Sequence, residues 1–200
     1  MLVRDANERI ASLERRTKEV AIEINVNIDG TGKSRINTNI PFLDHMINTF
    51  ARYSKVDINL IAKSEDQIKH HLIEDVGIIL GQSLNDALGK REKINRFGDS
   101  LIPMDESVTK VTIDLIKRQY YHIDLKLERE FIENISKEDI IHFFQSIISN
   151  LNCCIHVVVE YGENDHHKIE SAMKAFAIAL RNAMETNPSN EEIPTTKGMM

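Results

Sequence analysis

Hydrophobic positions recur along this chain with two periods, and the period changes at turn-forming residues. Val20, Ile22, Ile24, Val26 and Ile28 occupy every second position, the mark of a strand with one buried face. Asp29-Gly30-Thr31-Gly32 reads as a turn, and a short strand is expected over 34–40. Pro41 suits the first turn of a helix, where its missing N–H is no loss. Leu43, Met46, Ile47 and Phe50 give that helix one apolar stripe, and Val56, Ile58, Leu60 and Ala62 then alternate as a strand. From His70 to Leu88 the spacing is helical again (Ile73, Val76, Leu80, Leu84, Ala87), with Gly89 as C-cap. Residues 1–15 read as a polar lead-in, and 90–106 as a basic, polar connection.

The order then repeats. Val111, Ile113 and Leu115 alternate, as do Tyr121, Ile123, Leu125 and Leu127. Ser136 with Asp139 marks a helix start close to a capping box, followed by Ile140, Phe144, Ile147 and Leu151 on one face. Cys153, Ile155, Val157, Val159 and Tyr161 form another strand, and His166 to Glu185 a helix with Ile169, Met173, Phe176, Leu180 and Ala183 aligned. The pattern predicts an α+β fold of internally duplicated ββαβα units. Residues 1–94 and 95–200 form the halves of one compact functional unit. Each half is a mixed or antiparallel sheet with two helices packed on one face.

Polar landmarks sharpen the duplication. His70-His71-Leu72-Ile73-Glu74 and His166-His167-Lys168-Ile169-Glu170 are the same HHxxE string, 96 residues apart, each opening the last helix of its half. His45 precedes the first by 25 residues, and His142 precedes the second by 24. On a helix each doublet shares a face with its glutamate, while adjacent imidazoles diverge by about 100°. Two metals, each taking one imidazole from each doublet, suit that divergence. Imidazole and carboxylate without thiolate fit Mn, Fe, Ni or Zn. The HExxH spacing of zinc proteases is absent.

Composition narrows the class. The chain has 200 residues, 42% hydrophobic and 28% charged, with a net charge of −6. These are ordinary globular values, and the acidic balance speaks against a nucleic-acid partner. The competing α+β RNA-binding module is disfavoured by that charge and by the paired HHxxE strings. No apolar run is long enough to span a membrane, and the N-terminus lacks the apolar core of a secretory signal. Cys153 and Cys154 are adjacent and cannot sensibly pair with each other, which fits a reducing cytoplasm. Arg96, Arg118, Lys174 and Lys197 are candidate anion contacts. Pro103-Met104-Asp105-Glu106 is a candidate catalytic run that reads better as a strand-entry turn, His122 and His156 read as structural strand residues, and Pro194–Gly198 as a polar tail able to order over a site.

Taken together, five motifs carry a family resemblance: Pro41-Phe42-Leu43-Asp44-His45-Met46; His70–Asp75 followed by Val76-Gly77-Ile78; Pro103-Met104-Asp105-Glu106; Gly162-x-Asn164-x-His166-His167-x-x-Glu170 with Lys174; and a closing Pro-x-x-Lys-Gly. The chain resembles the imidazoleglycerol-phosphate dehydratases of histidine biosynthesis from about residue 15 to 198. The resemblance implies a hydro-lyase that converts D-erythro-imidazole glycerol phosphate to imidazole acetol phosphate and water. It also implies two Mn2+ per active site and a homo-oligomeric 24-mer with sites at subunit interfaces. It assigns His45, His70, His71, Glu74, His142, His166, His167 and Glu170 as metal ligands. Of these, His45, His71 and Glu170 are also taken as catalytic, together with Glu19 of the Arg15–Glu19 run as acid/base. It assigns Arg96, Arg118, Lys174, Thr195, Thr196 and Lys197 to substrate and phosphate.

The chain departs from the family pattern at Tyr53-Ser54, Ile68, Leu72, Asn39, Ile116-Lys117, Gln119 and Thr195. No metal ligand is lost. Tyr53 and Ile116-Lys117 motivate the alternative of a catalytically impaired metal-binding shell protein with the same fold.

Overall fold

The computed structural model describes residues 9–187. Two four-stranded sheets share one topology. β1 (Ile10–Arg16), β2 (Val20–Asn27), β3 (Ser34–Asn37) and β4 (Asp57–Ser64) lie in the order β1-β2-β4-β3. β5 (Phe97–Met104), β6 (Ser107–Asp114), β7 (Tyr120–Asp124) and β10 (Cys154–Tyr161) lie in the order β5-β6-β10-β7. In each sheet only the last pair, β3–β4 or β7–β10, runs parallel. A short hairpin, β8 (Phe131–Ile132) with β9 (Ile135–Ser136), stands apart.

Helices α1 (Pro41–Ser54) and α2 (Lys69–Leu88) cover the first sheet, and α3 (Lys137–Leu151) and α4 (Asp165–Met184) the second. The helices also pack on one another across the halves, α1 on α4 and α2 on α3. The result is two sheets enclosing a helical layer around one continuous apolar cluster. Phe50 of α1 meets Phe176 of α4 at 5.3 Å between ring centroids. Small residues set the closest approaches. A Cβ on Gly77 of α2 would stand 2.8 Å from the Ser146 Cβ of α3, and one on Gly81 would collide with the Ile147 carbonyl.

The duplicated α+β architecture is as expected, but each half has one strand more than the pattern suggested, giving βββαβα. The lead-in contains β1, an edge strand whose charged residues disguise its alternation. Ala11 and Leu13 face inward, and so does Arg15, which reaches the buried Asp75 carboxylate at 2.9 Å. The 90–106 connection contains β5, whose polarity is inverted. Gly98 and Ser100 point inward against α4, and the Ser100 hydroxyl donates to the Ala175 carbonyl, while Phe97 and Leu101 face out. The local signals at helix ends hold. Pro41 opens α1, the Ser136 hydroxyl caps α3 by accepting the Asp139 N–H, and Gly89 ends α2 with positive φ.

Candidate metal centres

Each doublet occupies the first turn of its helix, and the cross-half packing decides what it meets. Because α1 lies on α4, His45 reaches His166 and Glu170. Its Nε2 and that of His166 both stand 3.5 Å from the Glu170 carboxylate. Because α3 lies on α2, His142 reaches His70 and Glu74. The His70 and His142 rings stack at 5.1 Å, and the His70 Nε2 is 3.8 Å from Glu74. In both trios the potential ligand atoms lie within 4.8 Å of one another. Each therefore unites the doublet of one half with the lone helix histidine of the other.

The second imidazole of each doublet turns to carboxylates of its own half. His71 Nδ1 is 2.6 Å from Asp66 and 3.9 Å from Glu19, which sits in the β1–β2 turn. His167 Nδ1 is 2.7 Å from Glu106, in the equivalent β5–β6 turn. The Asp66 carboxylate, chiefly through its hydrogen bond, raises the His71 pKa. Asp66 in turn is lowered by the Ile68 N–H and then by His71. The Asn164 N–H and the His167 imidazole hold Glu106 far below the usual carboxylate range. Within the chain, no potential ligand group among the described residues combines imidazoles from both doublets. The sharing expected from their divergence is not made inside one chain.

The remaining candidates are distributed unevenly. Lys174 donates to Glu170 at 2.7 Å, lies 3.1 Å from the Met104 sulfur and sits over the Tyr53 ring at 5.6 Å. Burial pushes the Glu170 carboxyl up, but Lys174, with His45, outweighs it and the net direction is down. Arg96 is engaged by Asp114, through Nε at 2.7 Å and Nη2 at 2.9 Å. Arg118 is exposed between β6 and β7. Thr195, Thr196 and Lys197 lie outside the described residues. A cleft of about 520 Å³ opens onto His45, His166 and Glu170, walled by Pro41, Phe42 and Asn134.

Sequence reasoning missed the carboxylates behind the imidazoles. Asp139 lies 2.6 Å from His70 Nδ1 and Glu133 lies 3.3 Å from His166 Nδ1. Asp66 carries no signal in the sequence, and Glu106 stands out only as part of the Pro103–Glu106 motif, with nothing tying it to His167. Asp139 was legible as a capping residue, but nothing in the string tied it to a histidine 69 positions away. All four doublet histidines thus have Nδ1 against a carboxylate, the arrangement that orients metal-bound imidazoles. The buried Nδ1 of His142 has no hydrogen-bond partner. An orphaned ring nitrogen beside oxygen and nitrogen donors fits a divalent transition metal.

Comparisons with known proteins identify the family. The imidazoleglycerol-phosphate dehydratase family model matches residues 38–180. Imidazoleglycerol-phosphate dehydratase of Clostridium botulinum is 42% identical over 96% of this chain and 98% of its own length. That of Geobacter metallireducens is 40% identical over 96% of this chain and 99% of its own. The crystal structure of the Staphylococcus aureus enzyme superposes with a TM-score of 0.81 at 30% identity, covering 89% of this chain and 99% of that one. Matched over nearly its whole length by sequence and by fold, the chain belongs to the imidazoleglycerol-phosphate dehydratase family of hydro-lyases.

Proposed function

We propose that this protein is a metal-dependent dehydratase that converts D-erythro-imidazole glycerol phosphate to imidazole acetol phosphate and water in histidine biosynthesis. The observation that carries the reading is the pair of His–His–Glu trios, each built across the two halves. His45, His166 and Glu170 would hold one divalent ion, and His70, Glu74 and His142 the other, with Mn2+ the favoured metal. When bound, these ions supply Lewis-acid polarisation and a fixed orientation for the substrate ring.

The reaction removes hydroxide from the carbon that bears the ring and a proton from the next carbon, and the resulting enol ketonises. That C–H is not adjacent to a carbonyl, so the ring itself must deliver the electron pair that expels the hydroxyl. The chain's own residues handle position and protons. Phe42 lies 5.0 Å from the His166 ring and walls the cleft with apolar surface. Glu19 offers an exposed carboxylate beside His71, suited to proton transfer. Lys174 is an ammonium at the rim for the phosphate, and Arg118 a free-standing guanidinium. Arg96 would have to leave Asp114 to join them.

Three ligands leave each trio open, while His71 and His167 stand outside both. That imbalance supports a homo-oligomer in which a neighbouring chain completes each centre, and the resemblance points to a 24-mer. No described helix is long and apolar enough to cross a membrane, and a reducing cytoplasm suits the free cysteines. The test is a dehydration assay on imidazole glycerol phosphate with metal removed and restored. Turnover that disappears on chelation and returns with Mn2+ supports the reading. Metal binding without turnover identifies the impaired shell protein instead.

A further inference from the structure

We propose that His122 and His156 form a separate surface site for a borderline transition-metal cation of the Zn2+, Ni2+ or Cu2+ class. The two residues are direct partners on the parallel strands β7 and β10. Their rings are 6.2 Å apart between centroids, and both are exposed. On β10 the alternate residues Ile155 and Val157 are fully buried beneath the helices. The histidines therefore occupy the opposite, outer face of the sheet, away from the two trios.

The geometry is that of a chelate. Neighbouring strands lie about 4.8 Å apart, and imidazole nitrogens bind such ions at about 2.0–2.1 Å. Two imidazoles on one face of adjacent strands can thus converge on one ion, with water filling its remaining positions. Tyr120 packs against the His156 ring at 5.4 Å and limits its rotation, which lowers the entropy lost on binding. The internal repeat provides a control. The corresponding partners on the first sheet are Arg35 on β3 and Asn59 on β4, a pair that offers no imidazole and cannot form this chelate. The site is therefore a feature of the second sheet and is not required by the fold.

The test uses manganese-loaded protein, in which the trios are already occupied, and soluble Ni2+–iminodiacetate, a probe whose open coordination positions can accept neighbouring imidazoles. Binding is read by titration calorimetry. His122→Asn and His156→Asn should each weaken it by at least about tenfold, because each removes one arm of a chelate. The double variant should be close to either single one, since the arms act as a unit. Dehydratase turnover and the unfolding midpoint should stay unchanged in all three. No binding by the unsubstituted protein, equal binding by every variant, or a loss confined to one of the two histidines would each overturn the proposal.

Discussion

The two candidate metal-binding trios are copies of one arrangement, and the residues behind them are not. Both use the first histidine and the glutamate of an HHxxE string plus a histidine from the other half. In the α2 trio, His70 is braced by Asp139 at 2.6 Å, and Ile78 stands four residues after Glu74. In the α4 trio, His166 has a looser carboxylate at 3.3 Å, and Lys174 holds Glu170 four residues on. The turn into α4 is also anchored by a buried pair absent from α2. Asp165 accepts the Glu128 and Arg129 N–H groups and the Lys168 ammonium, which itself donates to the Lys126 carbonyl. Burial alone would raise the Asp165 pKa, but these donors outweigh it and lower it. At Leu72, the equivalent of Lys168, α2 has no such cation. The repeat keeps the His–His–Glu donors alike and lets the supports diverge, so one trio carries a built-in cation and the other does not.

The largest effect should come from the ligands, where the copies are alike. His70→Ala and His166→Ala should each lower metal content by about one ion per chain. Each should also cost more turnover than the 10²–10⁴-fold, roughly, of a lost acid–base group. Elemental analysis beside the dehydration assay reads both, and loss of metal in one variant alone would make the copies unequal. Next come the hairpin carboxylates. Glu19→Gln should lower turnover by about 10²–10⁴-fold with metal retained. Its positional counterpart Glu106→Gln, acting through the orientation of His167, should cost about 10–100-fold. Similar losses with similar metal content would give the two turns the same role.

Helix packing separates the halves at the level of stability. Gly81→Ala forces a methyl onto the Ile147 carbonyl and should destabilise by about 1–3 kcal/mol. The equivalent position on α4 is already Ala177, where Ala→Gly should cost about 1 kcal/mol. Denaturant unfolding distinguishes these, and a neutral Gly81→Ala would mean the α2–α3 contact is loose. The smallest effect concerns the turns that precede β3 and β7. Asp57 accepts the Thr31 and Lys33 N–H groups at 2.8 Å. Burial opposes its ionisation, but these bonds outweigh it and its pKa is lowered. A lowered carboxylate stabilises above its unfolded value, and that contribution is lost as pH falls through the folded one. After solvent screening it amounts to no more than about 1 kcal/mol. Cys154 occupies the equivalent position in the second sheet. Protection factors of the Thr31 and Lys33 amides, corrected for intrinsic exchange, should therefore fall at acid pH in the unsubstituted protein and lose this dependence in Asp57→Asn. The turn over 115–119 should lack this carboxylate-dependent response.

Much of this was legible in the string because the repeat announces itself. The HHxxE strings, His45 and His142 mark four helices, and the apolar stripes orient them. What remained hidden depended on approach between halves. Gly98 and Ser100 look like a loop until α4 packs on them, and Arg15 looks solvated until it meets Asp75. Asp66, Glu106 and Glu133 gain meaning only when their loops face the imidazoles. The division of each doublet, one imidazole toward the other half and one toward its own, follows from helix packing, which spacing does not encode.

The assignment of one ion to each trio is the decisive point. Anomalous difference maps from manganese-loaded crystals should contain two peaks per chain, one against His45, His166 and Glu170 and one against His70, Glu74 and His142. A single peak per chain would contradict it. So would peaks against the Glu19–Asp66–His71 and Asp105–Glu106–His167 groups with both trios empty.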